Sequence, residues 1–340
     1  MSSPSQIFPS AEFYLPATSE TLQYTFSANH TPQLYVPPGS KIHVETIDCY
    51  SGRIRSQKDA NLHMEAEECN PVTGPIFVQG AEVGDILAVT LHDIRPNQQG
   101  VARCCVEEGQ LGHTINIESN SYYAVFFDVV DGFCTMQHRR DVSFPTSPML
   151  GVIGVAPESP ERTMPAGYWG GNLDNNNNGI GSTIYIQVRT PGALLSIGDM
   201  HASMGDGEIC GTGVEIGGDV LLTTDIIKKC DINVVMPTVS EEEREKLINE
   251  LFHYPVTETR THWICHAVTN QDISLAMTKA CEAASLILQT QWGFTPEDAF
   301  IFLGVQGDLG LCQNVHPSSG SVIAKMCIPR ISACPGCIRK

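Results

Sequence analysis

The sequence predicts a mostly β protein with packed helices, an α+β chain in which a β-barrel or sandwich-like core is followed by C-terminal helices. Three observations predict it. Runs such as Lys41-Ile42-His43-Val44-Glu45-Thr46-Ile47 alternate with the two-residue period of extended chain. Turn signals such as Pro37-Pro38-Gly39 separate these runs. Capped helical patterns, by contrast, gather after residue 240. At 340 residues the chain can bury a large core. The expected organisation is two halves packed as one compact unit, residues 1–160 mostly β and residues 161–340 α+β and carrying the main motif.

The N-terminal elements come first. Gln23-Tyr24-Thr25-Phe26 and the 41–47 run read as strands, and the second delivers Asp48 into Cys49-Tyr50-Ser51-Gly52. An acid at a strand end is placed either as a site residue or as the cap of its own turn. Residues 61–71 read as a polar loop with one helical turn, and His63 stands alone in it. Two strands joined by Gly84-Asp85 follow; in the second, Ile86, Ala88 and Thr90 alternate with Leu87, Val89 and Leu91, so both faces are meant for burial. Tyr122 to Asp128 is another strand. Pro148 to Pro157 is an apolar run whose Gly151 and Gly154 signal close backbone approach of the kind found beneath a site.

Farther along, Trp169-Gly170-Gly171-Asn172-Leu173-Asp174 leads into four asparagines, Asn175 to Asn178, which favour neither helix nor strand and predict a loop at the mouth of the site. Cys210 to Ile216 resumes strand alternation with Glu215 among small and apolar residues, where an acid needs a partner. Val220 to Ile227 continues the sheet. Ser240 with Glu243 forms a capping box for a helix over 241–251, and Asp272 caps a helix through Leu288 with Ile273, Met277, Ala280, Ala284 and Ile287 facing the core. Thr295-Pro296 starts a third helix. Asp308 lies between glycines near the end, and Cys334-Pro335-Gly336-Cys337 is a lone CxxC without a second pair.

The stretch that concentrates chemistry is Gly198-Asp199-Met200-His201-Ala202-Ser203-Met204-Gly205-Asp206-Gly207-Glu208. It follows an apolar strand, Leu194 to Ile197, so Asp199 and His201 fall at i and i+2 on one face of extended chain. Gly205 and Gly207 free the backbone for Asp206 and Glu208 to turn back toward the same point. The competing reading is a polar turn whose acids cap backbone amides.

Charge and composition narrow the partners. With 38 acidic against 20 basic residues and a net charge of −18, nucleic acid and anionic membrane are excluded as partners. No apolar run approaches the roughly 20 residues that span a bilayer, and the start lacks a signal-peptide pattern, so the expected location is cytoplasmic. Thirteen cysteines, several in apolar contexts, point to reduced buried thiols.

Several segments together resemble the acetamidase/formamidase family over about residues 40–330: Asn70-Pro71-Val72-Thr73-Gly74-Pro75, Val83 to Val89, Gly170 to Asp174, and Pro191 to Asp199 running into His201, Gly205-Asp206-Gly207-Glu208 and Gly211-Thr212. The resemblance implies a mostly β homo-oligomer that hydrolyses small amides to ammonia and a carboxylate. This chain has Met204 where the family usually has glutamine, and the asparagine run after Asp174 is unusual.

Amide hydrolysis needs an activated nucleophile, a stabilised oxyanion and an acid for the leaving ammonia. No serine sits in a nucleophile elbow, and no lysine lies near the motif in the sequence. The economical arrangement is a divalent metal, zinc with calcium as the alternative, held by Asp48, Asp199 and His201 or a similar oxygen and nitrogen set. Glu208 is then the proton shuttle with Asp206 beside it. Asn172, Asp174 and Met204 meet the amide, with Trp169 and Met204 as bulk at the rim. A cysteine nucleophile, Cys49 or Cys210, competes within the enzyme class; a non-catalytic protein holding a metal or small cationic ligand competes from outside it.

Overall fold

The computed structural model describes residues 7–106, 108–116, 121–232, 234–235, 240–315 and 321–335. Its strands form two large open sheets, so the β core is a sandwich and not a closed barrel. The nine-stranded sheet runs Phe13–Leu15, Lys41–Thr46, Gly218–Ile227, Ile86–Pro96, Thr183–Gln187, Val256–Glu258, His262–Asn270, Ser321–Pro329, Asp308–Gln313. The twelve-stranded sheet has Leu195–His201 in its interior, bonded to Met149–Gly154, Glu215–Ile216 and Val72–Val78. Strands from before and after residue 160 alternate in both sheets, so neither half builds a sheet alone.

Three layers result, and the Ile86–Pro96 strand shows why. Its Leu87, Val89 and Leu91 join a core with Val72, Val152, Ile197 and Ile216 of the second sheet. Ile86 and Ala88, pointing the other way, join a second core with the helices. The apolar character of both faces therefore follows from a sheet covered on both sides. Each fully buried Leu, Ile or Val contributes about 1.5–3 kcal/mol.

The helical layer follows its sequence signals closely. Helix α1 (Glu241–Leu251) has the full Ser240–Glu243 capping box, and α3 (Pro296–Gln306) is capped by Thr295. Helix α2 (Ile273–Trp292) is capped by Asp272 and runs past Leu288 until Gly293, at φ +71°, ends it. Its buried face is Ala276, Ala280, Ala284, Ile287 and Leu288; Ile273 is exposed and Met277 half-buried, so the expected stripe is rotated. Small alanines at i, i+4, i+8 let the helix lie close on the sheet. Strand structure within 210–216 is confined to Glu215–Ile216. Asp308 is exposed at the start of an edge strand. Every cysteine among the described residues is a free thiol; Cys334 is buried, and Cys337 lies outside the described residues. Among the described residues no helix is long and apolar enough to cross a membrane.

Candidate active site

The Leu195–His201 strand is buried along its whole length. Its two-residue alternation breaks at Asp199, whose φ is +52°. The strand pairs Gly198 with Val152 and Met200 with Leu150, which leaves Asp199 beside Gly151. A Cβ at Gly151 would stand 2.5 Å from Asp174 Oδ1 and 2.6 Å from Asp199 Oδ2. Glycine there is the space the two carboxylates occupy, as the run around Gly151 suggests from sequence. His201 pairs across the sheet with Glu215. Its Nε2 lies 3.1 Å from Glu215 Oε1 and 3.5 Å from Asp199 Oδ1.

Loops supply the remaining acids. Asp174 and Glu208 take φ +43° and +44°, so with Asp199 three acids of the cluster hold left-handed backbone. Such conformations cost on the order of 1–3 kcal/mol each and persist where the surroundings over-determine them, as at functional sites. Ligand atoms of Asp174, His201 and Glu208 lie within 4.8 Å of one another, as do those of Cys49, Asp199 and Glu215. All six residues are buried. Asp174 Oδ1 and Oδ2, Glu215 Oε2 and His201 Nδ1 have no hydrogen-bond partner, and Asp199 Oδ1 has only the His201 Nε2 ion pair. Buried polar atoms are ordinarily paired, and a group of orphans in one place calls for an explanation.

Electrostatics point the same way. Burial, then the charge of Asp199, pushes the Asp174 carboxyl well above the usual carboxylate range. Burial and Asp174 do the same to Glu208. Glu215 is pushed up to about 7 by burial against the opposing pull of His201. Burial works against the His201 imidazolium, but Glu215 and Asp199 outweigh it and hold the ring well above its ordinary value. The His201 imidazolium is the cationic group set against these buried acids.

The residues expected from sequence divide between the cluster and its surroundings. Asp199, His201, Glu208 and Asp174 come together, Asp174 beside His201 and Glu208 and not on a separate substrate wall. Asn172, at the end of the Gly170–Asn172 strand, is buried with an unpartnered Oδ1. Met204 is buried three residues past His201. Asp48 is elsewhere occupied: its Oδ1 accepts from the Tyr50 and Gly52 amides at 3.0 Å, and Arg55 Nη1 lies 2.8 Å from its Oδ2. Its carboxylate is the cap of its own turn. Asp206 does not turn inward either; its side chain is 56% exposed and pairs at 2.5 Å with Lys325. Trp169 is a core residue, packed against Tyr168 and under Gly167, and not bulk at a rim.

Sequence reasoning missed Glu215 as a site residue, although its isolation among apolar neighbours was the signal. It also missed Lys325, buried on the Ser321–Pro329 strand and bonded to both Asp206 and Asn176. The asparagine loop is tied down: Asn175 Nδ2 donates to His266 Nε2 at 2.8 Å, and Asn178 Oδ1 accepts from Thr257. Of the two cysteines considered as nucleophiles, Cys49 is pushed well up by burial, Glu215 and Asp199, which suppresses its thiolate. Cys210 is half-buried and donates to the Thr212 carbonyl.

The donor set fits a divalent cation. Orphaned carboxylate oxygens and an imidazole nitrogen are the ligands zinc takes, and the histidine favours zinc over calcium.

Comparison with known proteins places this architecture. The acetamidase/formamidase family model matches residues 26–161 and 158–329. An acetamidase of Mycolicibacterium smegmatis is 27% identical over 87% of this chain and 88% of that protein. A formamidase of Methylophilus methylotrophus is 26% identical over 79% of each. Among solved structures, an acetamidase from Bacillus halodurans superposes with a TM-score of 0.80 at 30% identity, covering 93% of this chain and 97% of that one. Matched along most of its length by that family model, the chain belongs to the acetamidase/formamidase family.

Proposed function

We propose that this chain, an amide hydrolase by family, cleaves the C–N bond of short aliphatic amides of the formamide and acetamide type, using a divalent cation held in the buried acidic cluster. The observation that carries the reading is the set of buried unpartnered carboxylate oxygens on Asp174 and Glu215 around His201. Asp174 and His201 would hold the cation beside Glu208, with zinc the ion their donor atoms suit. When bound, it supplies Lewis-acid polarisation and a water that ionises near neutral pH.

The chain's own residues account for the rest. Glu208, whose proton affinity is raised by burial and Asp174, takes a proton from water and passes it to the departing nitrogen. Water oxygen bonds to the carbonyl carbon, the C–N bond breaks, and ammonia and carboxylate leave. Glu215 fixes the His201 ring from the neighbouring strand. Asn172 Oδ1 accepts from the substrate NH2 and orients it. Buried Met204 lines a small apolar acyl pocket, so turnover falls beyond the preferred acyl length by about 1–3 kcal/mol of discrimination per methylene. The free thiols suit a reducing cytoplasm, and family resemblance extends the reading to a homo-oligomer.

Ammonia release from formamide, acetamide and propionamide tests the reading. Turnover that declines with acyl length supports it. Binding of zinc without turnover of any of the three would leave a cation-holding protein and no enzyme.

A further inference from the structure

A single lysine ties together the two loops that deliver acids to the site. Lys325 lies in the Ser321–Pro329 strand, which sends Val322, Ala324, Met326 and Ile328 into the core under the helices and Ile323 into the core between the sheets. The two-residue alternation puts Lys325 on the face of Ile323, and it is 4% exposed. A lysine is rarely buried so fully unless its charge is paired. Here the ammonium has two partners: Nζ donates to Asn176 Oδ1 at 3.0 Å and to Asp206 Oδ1 at 2.5 Å. Asn176 stands two residues past Asp174, and Asp206 two residues before Glu208.

Strand register strengthens the grip. Lys325 stands directly opposite His266 on the neighbouring strand. His266 Nε2 meets Asn175 Nδ2 at 2.8 Å while Lys325 holds Asn176, so adjacent positions of two strands hold consecutive residues of the asparagine loop. Thr257 secures Asn178 Oδ1 from a third strand. The asparagine run therefore serves as a row of short side chains, each fastened to a fixed partner in the nine-stranded sheet. On the other side, Gly205 and Gly207 leave the 205–208 turn conformationally free. Its backbone bonds run from Gly207 N to Cys312 O at 3.1 Å and from Glu208 N to Gly205 O at 3.2 Å, and the Lys325 ammonium links it to the asparagine loop. Asp206 is 56% exposed, so the ion pair adds little stability in itself and its consequence is positional.

We propose that Lys325 is a positioning residue for amide hydrolysis: its ammonium latches the loop of Asp174 to the loop of Glu208 and so fixes the proton shuttle within the site. This rests on the reading of Glu208 as the shuttle and adds the residue that sets its place. Catalytic geometry is steep, and a displacement of about 1 Å can cost on the order of a hundredfold in rate. Removing the ammonium orphans no deeply buried charge, because Asp206 is mostly exposed and Asn176 only half-buried, so water takes up both. Lys325→Met is therefore expected to fold.

The zinc-loaded full chain carries the test. Lys325→Met is expected to lower kcat for formamide at least about tenfold while KM stays within about threefold. Asp206→Asn, which keeps the accepting Oδ1, is expected to retain most of the turnover that Asp206→Ala loses. Lys325→Met combined with Asp206→Ala is expected to lose no more than Lys325→Met alone. Wild-type kcat in Lys325→Met, or losses that multiply in the double variant, would overturn the latch. Amide hydrogen exchange reads it without turnover: Asn177, Asn178, Gly207 and Glu208, whose amides are bonded within the two loops or to Cys312, are expected to exchange at least about tenfold faster in Lys325→Met. Unchanged protection in both loops of an active enzyme would overturn the latch alone. Faster exchange in a protein that turns over no amide would uphold the latch and overturn the proposed function. Should Lys325→Met not fold, Asp206→Ala against Asp206→Asn decides by the same two readouts.

Discussion

Two groups of histidine and carboxylates in this molecule look alike on paper and differ in chemistry. His43, Glu45 and Asp219 bring ligand atoms within 4.8 Å of one another, as Asp174, His201 and Glu208 do. In the first group most partners are already present, and only His43 Nδ1 is left without one. His43 Nε2 meets Asp219 Oδ1 at 2.7 Å, Glu45 accepts from the Tyr14 hydroxyl and from the Ala17 amide at 3.2 Å, and Phe8 and Tyr14 pack on the imidazole. It is a polar contact between the N-terminal strands and the Gly218–Ile227 strand in which both acids have partners. In the second group the acids are more deeply buried, hold left-handed backbone, and leave oxygens without partners. The difference teaches that proximity of ligand atoms does not mark a site, whereas buried acids left without partners do.

The comparison is broken or sharpened most strongly by substitution at the two groups. His201→Ala and Glu208→Gln are each expected to lose at least about a hundredfold in turnover while remaining folded by circular dichroism. Asp219→Asn, in the first group, is expected to keep wild-type turnover. Equal losses in all three variants would erase the distinction.

A smaller effect tests the space around the acids. Gly151→Ala places a methyl against Asp174 and Asp199, and displacing those carboxylates is expected to lower turnover by up to about a hundredfold, with about 1–3 kcal/mol of destabilisation from overpacking. Gly205→Ala, where an added Cβ meets nothing within 4 Å, is expected to leave both quantities unchanged. Chemical denaturation and ammonia release read the two. Wild-type turnover in Gly151→Ala would remove the crowding argument.

How much of this was legible in the sequence depended on range. Helix α1 was readable to its ends because its cap and its capping box lie within four residues of each other. The 86–96 strand was readable as buried on both faces because each of its side chains reports its own environment. The site was only partly readable. Asp48 looks like a ligand at a strand end, yet the amides of Tyr50 and Gly52 that satisfy it are two and four residues away. Glu215 visibly needed a partner, but that partner is set by the antiparallel register with His201, which local pattern does not reveal. Lys325 reaches Asp206 from 119 residues away, so a search along the motif could not find it.

A further effect, on stability alone, concerns a third buried histidine, His266, satisfied on both nitrogens by the Pro255 carbonyl and Asn175. Burial lowers its pKa from 6.5 to about 4, so the fold holds it neutral while the unfolded chain takes up a proton below about pH 6.5. Its contribution is full above pH 6.5 and is lost as pH falls toward 4, by about 3 kcal/mol at the limit. Unfolding midpoints from pH 7 to 4 should therefore decline less steeply in His266→Gln than in the wild type. Parallel curves would show that His266 is not held neutral.

The claim that the orphaned acids exist to hold a cation for amide hydrolysis is tested most directly by ammonia release from formamide, before and after chelation, on protein whose metal content is verified. The account predicts that metal-free protein stays folded, loses turnover, and recovers it when zinc is returned. Full turnover in verified metal-free protein would contradict it.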